Sequence, residues 1–257
     1  SLLEVYVFSP GEVPAWVQRW RPAPEQADLL LLSAHPDDEH LYMGGTLPYY
    51  AGELKKEVVV AYMTCASHRR RSELLNGLWT VGVRTYPVIG HFRDKRYDSL
   101  SRMYSLWGRE KVRDFVVGLY RRFRPLVVVS HDVRGEYGHG AHRVCADAAR
   151  WALEAAAEGE RFPDSAAAYG VWDVPKLYLH LYRENPLEMD WRQPLEAFEG
   201  KTALEMSVLG YGEHVSQHQY SFRVRDTGAY SCARYGLVRS LVGPDEEKND
   251  FFEHLGE

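Results

Sequence analysis

The chain has 257 residues, of which 45% are hydrophobic and 26% are charged, and its formal net charge is -5. This composition is typical of a soluble globular protein that is long enough to bury a large core. The negative charge argues against a nucleic acid or an anionic membrane surface as the main partner. No apolar run reaches the roughly 18 residues that a membrane span requires. Three cysteines are too few for a disulfide framework.

Apolar strands alternate with segments of helical spacing in the first two thirds of the chain. The strand candidates are residues 27–34, 57–64, 85–90, 125–132 and 176–182. Helical spacing covers residues 41–54, 70–82, 105–123 and 141–157. Continuous apolar strands separated by helices predict an α/β fold, with a mostly parallel sheet and helices on both faces.

The two ends of the chain depart from this alternation. A proline-rich stretch at residues 5–26 is expected to run over the surface. After residue 185 we expect one more helix within residues 198–214 and a short β-like stretch within residues 220–236. No internal repeat or linker separates these parts.

We therefore predict one domain over residues 1–257, with a core at about 28–185 and a C-terminal extension at about 186–257. A cytoplasmic location is favoured. The chain begins at Ser1 and looks trimmed, which leaves secretion open. The oligomeric state cannot be read from the sequence.

The segment "AHPDDEH" follows the first strand, at the sheet edge where α/β proteins bind ligands. Pro36 suits the first position of a helix, which would place Asp37, Asp38 and Glu39 in its first turn. Three adjacent carboxylates repel one another unless a positive charge lies among them. An acidic helix start, stabilised by the helix dipole, is the simpler interpretation. It leaves His35 unexplained.

The segment "SHDVRGEYGHGAHR" (130–143) follows the fourth strand and should therefore lie at the same edge. Its His139 and His142 are three residues apart, so they project from one face of a helix. Imidazole and carboxylate ligands together suit Zn²⁺, which keeps an open position for water at catalytic sites. The two segments together predict a zinc site.

The segments "AHPDDE", "RRSE" and "GEYGHGAH" resemble those of the PIG-L/LmbE-like de-N-acetylase superfamily. That superfamily includes sugar deacetylases of glycosylphosphatidylinositol, mycothiol and bacillithiol biosynthesis. The resemblance spans roughly residues 28–145, and "EHVSQ" (213–217) adds a weaker match. It implies a Rossmann-like (lactate-dehydrogenase-like) fold with one Zn²⁺ per chain. It also implies hydrolysis of the N-acetyl group of an N-acetylglucosamine-type sugar or glycoconjugate, a small-molecule partner.

The resemblance also implies roles for particular residues. The zinc ligands would be His35, Asp38 and His142, and the general base would be Asp37. We expect Asp38 to bind the metal while Asp37 faces the substrate, because adjacent side chains point in different directions.

Four further residues are implied to surround the substrate. His139 would support the charge on the carbonyl oxygen, and Tyr137 does likewise in some members of the superfamily. Arg70 matches an arginine that reaches toward substrate, while Asp94 is a looser candidate for a polar contact.

One position departs from the pattern of the superfamily. An acid commonly precedes the second histidine and supports the first, but this chain has Ala141 there. Either Asp132 or Glu136 could supply that carboxylate from the loop. The change could be neutral, or it could mark altered chemistry or an inactive, sugar-binding descendant.

Two other questions stay open at this point. An amidase that acts on a larger conjugate is an alternative to a sugar deacetylase. His214 and His218 lie one helical turn apart, and we expect them at the pocket rim or in structural roles rather than at a second metal.

Overall fold

A seven-stranded sheet organises the protein, whose computed structural model describes residues 6–14 and 16–256. Its strands are β1 (Leu29–Ser33), β2 (Val58–Tyr62), β3 (Val88–Ile89), β4 (Val127–Ser130), β5 (Lys176–His180), β6 (Pro186–Glu188) and β7 (Arg234–Ser240). The spatial order is β3-β2-β1-β4-β5-β7-β6. The first five strands pair in parallel, whereas β7 pairs antiparallel with both β5 and β6.

Helices cover both faces of the sheet. They are α1 (Asp38–Leu41), α2 (His68–Thr80), α3 (Leu100–Trp107), α4 (Arg109–Phe123), α5 (Gly140–Ala157), α6 (Pro163–Tyr169) and α7 (Ala203–Gly212). A π-helical segment spans Pro48–Glu53, and 3₁₀ turns lie at Glu136–Gly138, Glu196–Phe198 and Val215–Gln217. None of the helices in the described ranges combines the length and apolarity needed to cross a membrane.

Strand β1 divides the hydrophobic core into two layers. Its residues alternate in direction, so Leu30 and Leu32 pack on the side of α3, α4 and α5. Leu29 and Leu31 pack on the opposite side, with α2 and the π-helical segment. Both faces of the strand are fully buried. The predicted α/β class, with a mostly parallel sheet and helices on both faces, is confirmed.

The predicted strands are confirmed with shorter bounds, whereas the predicted helix at 41–54 is confirmed only in its second half, as the π-helical segment Pro48–Glu53. Helix α1 ends at Leu41, and the chain turns before the π-helical segment begins at Pro48. The cause is Gly45, which has a φ of 88° and lies against Trp191. A Cβ at Gly45 would lie 2.3 Å from the indole ring, so this turn requires glycine.

The C-terminal extension completes the same sheet. The expected helix within 198–214 is present as α7, which a capping box of Thr202 and Glu205 begins. The β-like stretch at 220–236 is largely wrong, because β7 begins only at Arg234 and runs beyond that stretch. The residues before it form loops that reach the site described below.

The proline-rich stretch at the start matches its expected surface course over the described part of residues 5–26. Most of these side chains are exposed, including Trp16 at 61%. Arg21 makes an isolated bridge to Thr85, next to β3. Residues 5 and 15 lie outside the described residues. All three cysteines are free.

Gly45→Ala should destabilise the protein by about 2–4 kcal/mol, since the new Cβ overlaps Trp191 and the positive φ disfavours any side chain. Gly118→Ala is the matched control, because Gly118 lies inside α4 and a Cβ there meets nothing within 4 Å. The control should gain about 0.5–1 kcal/mol from helix propensity. Urea unfolding of both variants measures the difference, and equal midpoints would contradict the packing described here.

Candidate functional site

The site lies at the edge of the sheet where β1 and β4 end. Pro36 does not occupy the first helical position, as the sequence had suggested, because α1 begins at Asp38 with Asp37 as its N-cap. Asp37 has a left-handed φ of 113°, a conformation that costs a side chain about 1–3 kcal/mol. Its N–H donates to Glu39 Oε2 at 2.8 Å, which stabilises this unusual turn.

His35, Asp38 and His142 meet at this edge, as both sequence segments predicted. His35 Nδ1 lies 3.0 Å and His142 Nε2 lies 3.4 Å from Asp38 Oδ2. The ligand atoms of the three side chains all lie within 4.8 Å of one another. His142 Nε2 is buried and has no hydrogen-bond partner among the residues that the structure describes. A buried nitrogen lone pair that faces a carboxylate fits a metal ion, so the three residues could hold one.

The two adjacent aspartates have opposite protonation behaviour. Burial opposes the charge of Asp38, but the imidazoles of His142 and His35 outweigh it and hold the pKa of Asp38 well below its usual range. Burial and the neighbouring charge of Asp38 raise the pKa of Asp37 to about 7, although the guanidinium of Arg70 acts in the other direction. One carboxylate is thus committed to the cluster, while the other can take up a proton.

Glu136 holds three imidazoles in place. Its carboxylate lies 2.6 Å from His142 Nδ1, 2.9 Å from His131 Nδ1 and 2.6 Å from His180 Nδ1. Burial opposes its charge, but His131 and the hydrogen bonds from the imidazoles keep its pKa well below the usual range. Because a carboxylate only accepts, each of these Nδ1 atoms carries a proton. His142 is therefore held as the tautomer whose Nε2 is free to bind a metal.

His139 is oriented by the backbone rather than by a carboxylate. It is the N-cap of α5, and its Nδ1 accepts the N–H of Ala141 at 3.2 Å. Burial and the nearby His35 and His142 lower its pKa to about 2, so the ring is neutral. A neutral ring whose Nδ1 accepts a hydrogen bond carries its proton on Nε2. His139 is thus a fixed hydrogen-bond donor.

Neither Asp132 nor Glu136, the expected replacements for the acid missing at position 141, hydrogen-bonds the ring of His139. Within residues 6–14 and 16–256, no carboxylate hydrogen-bonds its ring, and the Glu136 bonds go to other histidines. Asp132 instead accepts the N–H of Arg134. Ala141 itself lies in the first turn of α5 and is fully buried in the core.

A cavity of about 330 Å³ opens onto the cluster. Arg70, Asp94 and Tyr137, which the resemblance placed near substrate, all line it. Asp94 Oδ1 lies 3.8 Å from His35 Nε2. The Tyr137 ring packs against Phe222 with centroids 5.4 Å apart. The pocket therefore combines polar groups at its sides with an aromatic wall.

Arg70 contacts Pro36 and Asp37 and lines the pocket. Its Nη2 lies 3.3 Å from Asp37 Oδ1 and donates to the carbonyl of Pro36. The side chain is only 12% exposed, so it is not a solvated residue of the arginine run. Its Nη1 is buried and has no partner in the described part of the chain, which leaves N–H groups available to a ligand.

His214 and His218 do not share a place in the structure. His214 is fully buried beside Glu39 and His40. His218 lines a neighbouring cavity, and its ring lies 5.8 Å from that of Tyr211. The two residues therefore form no joint metal site.

Comparisons with known proteins give this geometry its context. The PIG-L family, GlcNAc-PI de-N-acetylase, matches residues 30–153. A 1D-myo-inositol 2-acetamido-2-deoxy-alpha-D-glucopyranoside deacetylase 2 of Saccharopolyspora erythraea is 29% identical over 88% of this chain and 87% of its own. The corresponding deacetylase of Rhodococcus jostii is 31% identical over 62% of this chain and 63% of its own. Residues 30–153 thus match the PIG-L family of de-N-acetylases.

A solved structure supports the same fold. The N,N'-diacetylchitobiose deacetylase of Pyrococcus horikoshii superposes with a TM-score of 0.55 at 17% identity, over 74% of this chain and 71% of the other. The matching family consists of de-N-acetylases, which hydrolyse amide bonds, and the named relatives are deacetylases. The superfamily is metal-dependent, and the cluster of His35, Asp38 and His142 could hold its metal ion.

Several residues of the site were not predicted from sequence. His131 follows β4 directly, so the same sheet-edge reasoning that found His142 could have found it. His180 ends β5, the next strand along that edge, and carries the same signal. Tyr220 and Phe222 of the pocket wall lie in a loop without periodicity, and no pattern in the sequence indicates them, whereas Gln217 ends the weakly matching segment at 213–217.

Glu136→Gln should weaken metal binding about 10–100-fold, because the amide no longer fixes the Nδ1 proton of His142. The measurement is the metal concentration that half-reactivates chelator-stripped enzyme. Asp132→Asn is the matched control in the same loop, because that carboxylate accepts only a backbone N–H. Equal reactivation curves for the two variants would show that Glu136 does not position the ligand.

Proposed function

We propose that this PIG-L/LmbE-like protein is a zinc-dependent deacetylase that removes the N-acetyl group of an N-acetylglucosamine-type sugar within a small conjugate. One observation carries the proposal. Asp38 is surrounded by imidazoles and stays ionised, whereas the adjacent Asp37 lines the pocket and has a pKa raised to about 7. A binding module has no use for an unligated carboxylate of this kind beside a metal site.

The zinc assignment rests on the donor set. Two imidazoles and one carboxylate, from His35, His142 and Asp38, are the ligands of many catalytic zinc sites. When bound, zinc supplies Lewis-acid polarisation of the amide carbonyl and makes water nucleophilic near neutral pH. Glu136 and the N–H of residue 35, which donates to Asp38 Oδ2 at 2.9 Å, hold two of these ligands in place.

Asp37 acts as the general base. It takes a proton from water during attack on the acetyl carbon and passes this proton to the departing amine. A pKa near the working pH suits both halves of this task. Arg70, 3.3 Å away, keeps the carboxylate oriented toward the pocket.

His139 stabilises the negative charge that develops on the carbonyl oxygen. Its Nε2 carries the proton because Nδ1 accepts the N–H of Ala141. One such donor typically contributes about 3 kcal/mol to the transition state. Tyr137 lines the same pocket, and burial raises the pKa of its hydroxyl, so this group also stays protonated as a donor. In this arrangement His139 works without the acid that Ala141 replaces.

The substrate proposal follows from the pocket and from the named relatives. Those relatives deacetylate an N-acetylglucosamine joined to inositol. Here the donors Arg70 and Arg96 and the acceptor Asp94 surround an opening with an aromatic wall, which suits a polyhydroxylated ligand with one flat face. Because Gln217 and Phe222 of the extension complete this wall, we also propose that residues 1–257 form one functional domain.

A direct test incubates the zinc-loaded protein with a panel of N-acetylated compounds and detects the freed amine with fluorescamine. We expect release from N-acetylglucosaminyl-inositol, slower release from free N-acetylglucosamine, and loss of both after zinc removal. A larger amide conjugate and an N-acetylated amino acid serve as non-sugar controls. Release only from the larger conjugate would favour the amidase, and no release at all would reject the proposed reaction.

The two aspartates should fail differently when each becomes asparagine. Asp37→Asn should keep its zinc but lower kcat by about 10²–10⁴-fold, because the proton acceptor is gone. Asp38→Asn should lose zinc affinity, and activity with it, because a neutral amide replaces an anionic ligand. Zinc content and kcat are measured side by side. Equal loss of zinc in both variants would make the pair joint ligands, and a fully active Asp37→Asn enzyme would remove the base.

Arg70→Ala should lower kcat/KM by about 10–100-fold while zinc content stays unchanged, because a charged donor to substrate and to Asp37 is lost. Arg70→Lys should recover only part of the loss, since it keeps the charge but not the guanidinium geometry. Arg71→Ala is the matched control, because the neighbouring Arg71 side chain is exposed and does not line the pocket. Wild-type kinetics for Arg70→Ala would exclude a substrate contact.

A further inference from the structure

A second group of potential ligands lies behind the site. Glu39 and His40 come from α1, and His214 comes from the residue that follows α7 by two positions. Their exposed fractions are 1%, 1% and 0%. Their ligand atoms all lie within 4.8 Å of one another. None of the three belongs to the proposed catalytic set.

These buried atoms lack hydrogen bonds. Glu39 Oε1 and both ring nitrogens of His40 and of His214 have no partner within the described residues. Buried polar groups are otherwise almost always paired, and an unpaired carboxylate oxygen is especially unfavourable. Three of these atoms, Glu39 Oε1 and the Nε2 atoms of His40 and His214, lie against one another, which indicates a common ligand that the polypeptide does not supply.

The spacing fits a metal ion better than a hydrogen bond. Glu39 Oε1 lies 3.5 Å from His40 Nε2 and 3.6 Å from His214 Nε2. Bond lengths of about 2.0–2.1 Å to a tetrahedral ion place two ligand atoms roughly 3.3–3.4 Å apart. At the proposed catalytic site, His142 Nε2 is likewise unpaired and lies 3.4 Å from Asp38 Oδ2. The second group repeats that arrangement.

Gly77 of α2 keeps the space between the two rings open. A Cβ at this position would lie 2.8 Å from His40 Nε2 and 2.9 Å from His214 Nε2. That point is adjacent to both nitrogens that would face an ion. A side chain at residue 77 would therefore occupy the space that a ligand of these rings requires.

We propose that Glu39, His40 and His214 bind one divalent transition-metal ion of the Zn²⁺ type, at a structural site separate from His35, Asp38 and His142. Two imidazoles and a carboxylate suit such an ion, and the complete burial of the three side chains shields it from solvent. The ion joins α1 to the end of α7 beside α2. Glu39 Oε2, which accepts the N–H of Asp37, also connects this site to the strained N-cap of α1.

The test counts zinc in protein whose catalytic site is disabled. The Asp38→Asn/His142→Gln double variant is stripped with dipicolinate, reloaded with Zn²⁺, desalted and analysed by mass spectrometry of the metal. We expect one zinc per folded chain in this variant and two in the wild type. A double variant that retains no zinc overturns the proposal, and a wild type with a single zinc that the double variant loses does the same.

Matched variants locate the remaining ion. Adding His214→Gln to the double variant should remove the last zinc, whereas adding His218→Gln, one turn along the chain, should leave it. Retention of zinc in the His214→Gln protein overturns the assignment. X-ray absorption on the zinc-loaded double variant tests it with the cluster intact. We expect two imidazole ligands and an oxygen ligand, and a shell with fewer than two imidazoles overturns the site.

Discussion

The carboxylate of Glu136 is the interaction on which the site depends. It joins residues from three separate segments, since His131 follows β4, His142 lies in α5 and His180 ends β5. A single buried anion thus sets the position and the tautomer of a metal-facing imidazole. The same bonds tie α5 to the sheet edge, so the stability of this region and the geometry of the ligands have one common cause.

Burial accounts for the different behaviour of neighbouring acidic residues. Asp38 remains ionised because imidazoles surround it, whereas at Asp37 burial and the charge of Asp38 raise the pKa more than Arg70 and His214 lower it. The left-handed turn at Asp37 makes this possible, since it directs two consecutive carboxylates to different surroundings. Local strain in the backbone is therefore linked directly to the proposed division between ligand and base.

The sequence predicted the parts of the site that follow from strand order, and missed those that follow from packing. The proximity of His35 and His142 could be predicted because the parallel strands that precede them end at one edge of the sheet. The partner of His142 could not be identified, because Glu136 is equally compatible with a bond to His139 until the loop conformation is known. The first half of the helix expected at 41–54 is absent because Gly45 turns the chain against Trp191, and this contact spans about 150 residues of sequence, beyond any local pattern.

The pocket wall and the groups proposed for chemistry come from different parts of the chain, so substrate preference and reaction can evolve separately. The groups proposed for chemistry come from residues 35–142, whereas Tyr220 and Phe222 come from a loop that precedes β7 and pairs with no strand. Loops of this kind accept insertions and substitutions far more readily than a sheet edge does. Substitutions in this loop can thus change the ligand preference while residues 35–142, and with them the reaction, stay the same. Relatives with the same reaction and different substrates are the expected result.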